Sequence, residues 1–168
     1  NKTVLKQGDT QLDGNGGALI TRGKADFGDM RVWLDALRKE GELDEIDAEV
    51  DWDVELGTIV RMAQGRGDCP ALLFNNIKDY NTPDSICGQL FSGGNGSYSR
   101  LAMMFGLPRE TPVRDLVRVC RTIFNERVEP KIVKTGPVKD NVIEGDDIDL
   151  LKFPVPLWNR RDGGRYVA

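Results

Sequence analysis

The sequence contains no histidine. That absence removes the commonest metal ligand, the side chain that titrates near neutral pH and every histidine-based triad from these residues. Catalysis within them would rest on carboxylates, lysine, arginine, tyrosine or cysteine. Cysteine is sparse too. Cys69, Cys87 and Cys120 are odd in number and widely spaced, which is neither a disulfide framework nor a zinc pattern. Reduced thiols in a cytoplasmic protein are the plain reading. No apolar run approaches the ~20 residues that a membrane span requires. The first residues hold no apolar signal core, so nothing points to export. Lysine and arginine are scattered without a basic stripe, and the formal net charge is −4, which argues against a nucleic-acid surface.

What is present is ordinary for a soluble protein. At 168 residues, with 39% hydrophobic and 30% charged side chains, one compact domain with a core is expected. Residues 1–27 are polar, hold Gly14, Gly16, Gly17 and Gly23, and follow no sustained period. They read as a flexible leader that begins without Met, with Leu19-Ile20 as a short extended contact.

Residues 28–135 read as an α/β (α+β) domain, a mixed sheet flanked by helices. Asp29 is a good N-cap for a helix whose apolar face is Met30, Trp33, Leu34 and Leu37, closed by Gly41. Glu42 to Val50 reads as a strand. Asp51 or Asp53 then caps a second helix, with Leu56, Ile59, Val60 and Ala63 inward and Gly65-Arg66-Gly67 at its end. Ala71 to Phe74 has the continuous apolar pattern of a buried strand, and Ile86 to Phe91 resembles it. A glycine-rich loop, Gly93 to Ser97, precedes a helix with Leu101, Met104 and Phe105 inward, stopped by Gly106 and Pro108. Thr111-Pro112 opens a helix with Val113, Leu116, Val117, Cys120, Ile123 and Phe124 on one face. Lys131 to Lys134 and Val138 to Ile143 read as strands.

Residues 136–168 carry the densest local instruction. Pro137 and the Pro154-x-Pro156 pair force an extended path. Gly145-Asp146-Asp147 is a turn cluster. Trp158 to Gly164 then gathers an aromatic, two cations, a carboxylate and two glycines. Tyr166-Val167-Ala168 reads as the start of a strand, the front of something longer or a partner for another chain.

Each candidate chemistry has a plainer rival. The Gly93–Ser97 loop lies where a phosphate cradle would. It has Ser99 where a third glycine would be needed and lacks the Gly-Lys-Ser/Thr of a P-loop, so a simple strand-to-helix turn is the better reading. Glu144, Asp146, Asp147 and Asp149 lack the ligand spacing of a calcium loop and read as a solvated turn. Asp44, Glu45, Asp47, Glu49, Asp51 and Asp53 read as an exposed strand face plus a cap. Cys69 and Cys120 have no neighbour in sequence to lower a thiol pKa and read as small core residues. Arg160, Arg161 and Arg165 with Trp158 suit an anionic substrate or flavin phosphate. The rival is an interdomain hinge held by salt bridges.

Several stretches together resemble one family. They are Asp29-Met30-Arg31-x-Trp33-Leu34-x-Ala36-Leu37 with Glu40-Gly41-Glu42-Leu43, then Ile46 to Asp51, then Pro70 to Phe74 with Asn76-Ile77-Lys78. Arg100-Leu101-Ala102 leading to Gly106-Leu107 follows, then Gly136 to Lys139, Gly145 to Leu150, Pro154-x-Pro156 and Asp162-Gly163-Gly164-Arg165-Tyr166. Their order and spacing are similar to the N-terminal part of the UbiD-type decarboxylases, reversible (de)carboxylases of aromatic and α,β-unsaturated acids.

The resemblance implies that residues 136–168 are an extended linker, ending where a split-barrel flavin domain begins. It implies prenylated FMN (prFMN), Mn2+ and K+ in the parent enzyme, with none expected on this chain alone. The catalytic and metal-binding residues would then lie outside the chain. Trp158, Arg161, Asp162, Gly163 and Gly164 are the residues expected to border the cleft. The implied partners are the remainder of the decarboxylase, a small aromatic acid and further copies in a homo-oligomer. A non-catalytic assembly module paired with a separate catalytic chain is the alternative.

Overall fold

The computed structural model describes residues 27–67, 69–80, 86–88, 98–125, 127 and 129–167. The Leu19-Ile20 contact, the Gly93–Ser97 loop and the far end of the Ile86–Phe91 strand lie outside them.

Helix α1 (Met30–Lys39) starts where Asp29 Oδ1 accepts the amides of Arg31 and Val32, satisfying two N–H groups that have no partner within the helix. It ends in a left-handed Gly41. The Gly41 N–H donates to the Arg38 carbonyl and the Glu42 N–H to that of Leu37, the two bonds of a Schellman motif. Trp33 and Leu37 are its buried residues, whereas Met30 is half exposed.

Strand β1 (Leu43–Ile46) is shorter than Glu42–Val50. Val50 pairs separately with Ile77 in an isolated parallel bridge. Helix α2 (Glu55–Gln64) buries Leu56, Gly57 and Val60, with Ile59 and Ala63 packed beside them. Neither Asp51 nor Asp53 caps it. Val54, left-handed at φ 70°, occupies that position without a side-chain cap. The Asp51 carboxylate instead accepts the Asp53 amide and Lys78 Nζ, while Glu55 reaches back to the Asp51 amide.

Strand β2 (Ala71–Phe74) is buried throughout. It pairs parallel with β1 and antiparallel with β3 (Ile86–Gly88), giving the order β1-β2-β3. Alternation splits its side chains. Leu72 and Phe74 join α2 in one core, while Ala71 joins Trp33 and Leu37 of α1 in another. The small mixed sheet is therefore covered by helices on both faces.

Helix α3 (Ser99–Met104) buries Arg100 and Ala102; of the expected inward residues, Met104 and Phe105 are half-buried and pack against core clusters, and Leu101 is half-buried. It closes on left-handed Gly106 with a second Schellman pair, Gly106 N–H to the Met103 carbonyl and Leu107 N–H to that of Ala102.

Helix α4 (Val113–Asn125) begins after Pro112, whose carbonyl accepts the Leu116 amide. The Thr111 hydroxyl donates to Pro108 rather than capping. Its inner face is Leu116 and Val119 with Ile123. Val113, Val117 and Phe124 lie about 60 to 100° round the helix from Leu116, and Phe124 is 78% exposed.

The strands expected at 131–134 and 138–143 do not form. The stretch is irregular, with 3-10 turns at Pro137–Lys139, Gly145–Asp147 and Leu150–Lys152. Ile132 is 95% exposed, and Val138, Leu150 and Phe153 are also exposed. Strand preference reflects a half-buried, paired surface, and no ladder partner for this stretch lies among the described residues. Tyr166 and Val167 likewise join no ladder. No helix among the described residues is long and apolar enough to cross a membrane.

Candidate functional site

The segment 154–166 returns to the domain and seats on α2. Pro154 and Pro156 are buried. Leu157 forms a parallel bridge to Asp53, its N–H donating to the Trp52 carbonyl at 3.0 Å and its carbonyl accepting the Val54 amide at 2.9 Å. Next to it the Trp158 carbonyl lies over Gly57. A Cβ there would sit 2.0 Å from that oxygen, so the close approach requires glycine.

The five expected cleft residues fall on one turn. Trp158 packs against the core beside α2, and its indole N–H donates to the Tyr166 carbonyl at 3.0 Å. Asp162 accepts the Asn159 amide at 2.9 Å and returns its own N–H to the Asn159 carbonyl at 3.0 Å. The Arg161 amide donates to Asn159 Oδ1, leaving its side chain on the exposed surface beside Arg160. Gly163 and Gly164 are exposed, and Gly164 has φ 156°.

Arg165, considered above as an anion ligand, is instead engaged within the chain. Its guanidinium lies 4.0 Å from the Trp52 ring centroid and 5.7 Å from that of Tyr80. Nε donates to the Val155 carbonyl and Nη2 to the Tyr80 hydroxyl, which donates onward to the Leu151 carbonyl at 3.0 Å. Trp52 and Tyr80 were missed in the sequence. The available signal was an aromatic placed between Asp51 and Asp53 and another in the turn after Lys78-Asp79.

A second polar centre is structural. Arg100 is fully buried and donates through Nη1 to Glu42 and to the Cys69 carbonyl, each at 2.8 Å. Arg109 donates to the other Glu42 oxygen and to the Glu40 carbonyl. A carboxylate between two guanidiniums ties α3 and the 106–109 turn to the start of β1.

Of the acidic residues of 44–53, Glu45 and Asp51 form surface ion pairs. The Arg38 guanidinium holds Glu45 below its usual carboxylate range, and Lys78, 2.5 Å from Asp51, lowers that carboxyl likewise. Their partners Arg38 and Lys78 are raised in turn. Asp149 accepts the Leu151 amide, while Asp146 and Asp147 lie in an exposed 3-10 turn. Cys69 is buried, as expected of a core residue, whereas Cys120 is half-buried on α4. An open groove of about 660 Å3 runs between α1 and residues 103–109, and none of the five turn residues lines it.

Comparison with known proteins places this geometry. Residues 34–120 match the 3-octaprenyl-4-hydroxybenzoate carboxy-lyase N-terminal domain, and residues 131–168 match the Rift-related domain of the same carboxy-lyase. The chain belongs to the UbiD family. It is 39% identical over 144 residues to the pyrrole-2-carboxylic acid decarboxylase of Pseudomonas aeruginosa, a match covering 83% of this chain and 29% of that protein. The vanillic acid decarboxylase of Sedimentibacter hydroxybenzoicus in closed form superposes with a TM-score of 0.69 at 31% identity, covering 82% of this chain and 28% of the other. The UbiD-class enzyme HmfF from Pelotomaculum thermopropionicum in complex with prFMN gives 0.61 at 28% identity, covering 82% and 30%. The chain thus spans under a third of the length of these relatives.

Among the described residues, no group of three or more carboxylates or thiols is placed to hold a metal ion. The one guanidinium stacked at the turn, that of Arg165, already serves Val155, Tyr80 and Trp52.

Proposed function

We infer that the chain is the N-terminal portion of a prFMN-dependent reversible (de)carboxylase of aromatic or α,β-unsaturated carboxylic acids, whose catalytic centre lies outside residues 1–168. The observation that carries this reading is the ordered pair of family matches, 34–120 and 131–168, in a chain spanning 29% of its pyrrole-2-carboxylate relative. Loss of CO2 from an sp2 carbon leaves an electron pair that needs a sink, which is chemistry a bound cofactor supplies.

In this reading residues 28–135 are the N-terminal α/β domain, and 136–168 lead into a central split-barrel flavin domain. That domain binds prFMN with Mn2+ and K+. The turn bearing Trp158, Arg161, Asp162, Gly163 and Gly164 borders the cleft between the two. The exposed apolar side chains of 132–153 support it, since they are the surface a further part of the protein would cover. The parent enzyme is a cytoplasmic homo-oligomer.

The test is to produce the full-length protein containing this chain in cells that supply prFMN and to offer it pyrrole-2-carboxylate, vanillate and ferulate. Release of CO2 from at least one acid is expected. A full-length protein that binds flavin and metal yet decarboxylates none of them would contradict the reading. A catalytic chain of separate origin co-purifying with a 168-residue product would replace it with the assembly-module alternative.

A further inference from the structure

The stretch from Leu151 onward exposes apolar side chains, yet its far end is held on three sides. Arg165 joins three separate parts of the chain: Trp52 under its guanidinium plane, Tyr80 at Nη2 and Val155 at Nε. Its supports are themselves fixed. Trp52 donates its indole N–H to Asp79 at 3.2 Å, and the Tyr80 hydroxyl donates to the Leu151 carbonyl. Immediately beyond Arg165, both backbone polar groups of Tyr166 are engaged. Its N–H donates to the Pro156 carbonyl at 3.3 Å and its carbonyl accepts the Trp158 indole. A cation–π contact used only for stability would not require the next residue to be fastened as well.

We propose that Arg165 is a positioning residue. It sets the direction in which the chain leaves the face of α2 at Tyr166, and so where the catalytic part sits relative to the Trp158–Gly164 turn. The proposal rests on the decarboxylase reading above. It needs arginine in particular. Lysine keeps a charge for the Trp52 ring but lacks the planar fork that reaches Val155 and Tyr80 at once.

The experiment uses the full-length protein with Arg165→Met and Arg165→Lys, and Arg31→Met as a control at a highly exposed side chain. Two readouts are taken. In amide hydrogen exchange, Arg165→Met is expected to speed exchange across 156–167 about tenfold while β2 is unchanged. In turnover of pyrrole-2-carboxylate or vanillate, kcat per bound flavin is expected to fall about tenfold with KM within about twofold of wild type, and Arg165→Lys to lie between. Unchanged exchange at 156–167 overturns the proposal. So does faster exchange with wild-type kcat per bound flavin, which would make Arg165 a stabilising contact alone. An inactive wild type overturns the decarboxylase reading instead, and the exchange readout still decides whether Arg165 fixes the departing chain.

Discussion

At the scale of single residues, two positions carry opposed effects whose balance is testable. Gly57 lies within α2, where alanine would ordinarily favour the helix by about 1 kcal/mol. Here the added Cβ meets the Trp158 carbonyl at 2.0 Å. Gly57→Ala is therefore expected to destabilise by about 1–3 kcal/mol in denaturant unfolding. Stabilisation would mean that 157–158 does not rest on α2. Arg100 is the second position. Removing its guanidinium leaves Glu42 buried with Arg109 as its remaining cation, so Arg100→Met is expected to cost about 3–5 kcal/mol. Adding Glu42→Leu should recover part of that loss, because the carboxylate then no longer has to be desolvated. Neither role was legible in the sequence. Nothing next to Arg100 in the sequence marks its role, since the fold brings Glu42 and Cys69 to it across 58 and 31 residues. The Arg165 clasp was hidden for the same reason, its hydroxyl partner lying 85 residues away.

At the scale of elements, what was readable is what is local. Asp29 before an apolar 3.6-residue period, glycines at 41 and 106, and the unbroken Ala71–Phe74 run each fix their structure within a few residues. Asp29→Ala should cost about 1 kcal/mol, read as a shift of the urea midpoint. The start of α2 went the other way because Asp51 had a better distant partner in Lys78. That pair gives a pH prediction. Lys78 lowers the Asp51 carboxyl, so the unfolded chain binds that proton more tightly. The stabilisation is complete above the ordinary aspartate range, about 3.9, and is lost as pH falls through the lowered folded value. Lys78 is raised, so its share is complete below the ordinary lysine range, about 10.4, and is lost as pH rises through the raised value. Asp51→Asn should therefore be less stable than wild type near neutrality, with the gap closing in both strong acid and strong alkali. An equal gap at every pH would contradict the pairing. The stretches 131–134 and 138–143 failed as strands because apolar alternation identifies a surface to be covered, not the presence of its partner.

At the scale of the whole molecule, the α/β class and the mixed sheet were legible because helical and strand periods alternate cleanly from Asp29 to Phe74. The family was legible in an ordered set of short stretches, and its two family matches cover 34–120 and 131–168. The five residues expected to border a cleft read in the sequence only as a composition. Their arrangement, a closed Asn159–Asp162 turn seated on α2 with Arg165 behind it, depends on long-range contacts. The central claim is that the catalytic centre lies outside residues 1–168. The most direct measurement is flavin content and CO2 release for purified residues 1–168 beside the full-length protein, both produced with prFMN supplied. The account predicts stoichiometric flavin and turnover in the full-length protein, and neither in residues 1–168. Stoichiometric flavin with decarboxylation in residues 1–168 alone would contradict it.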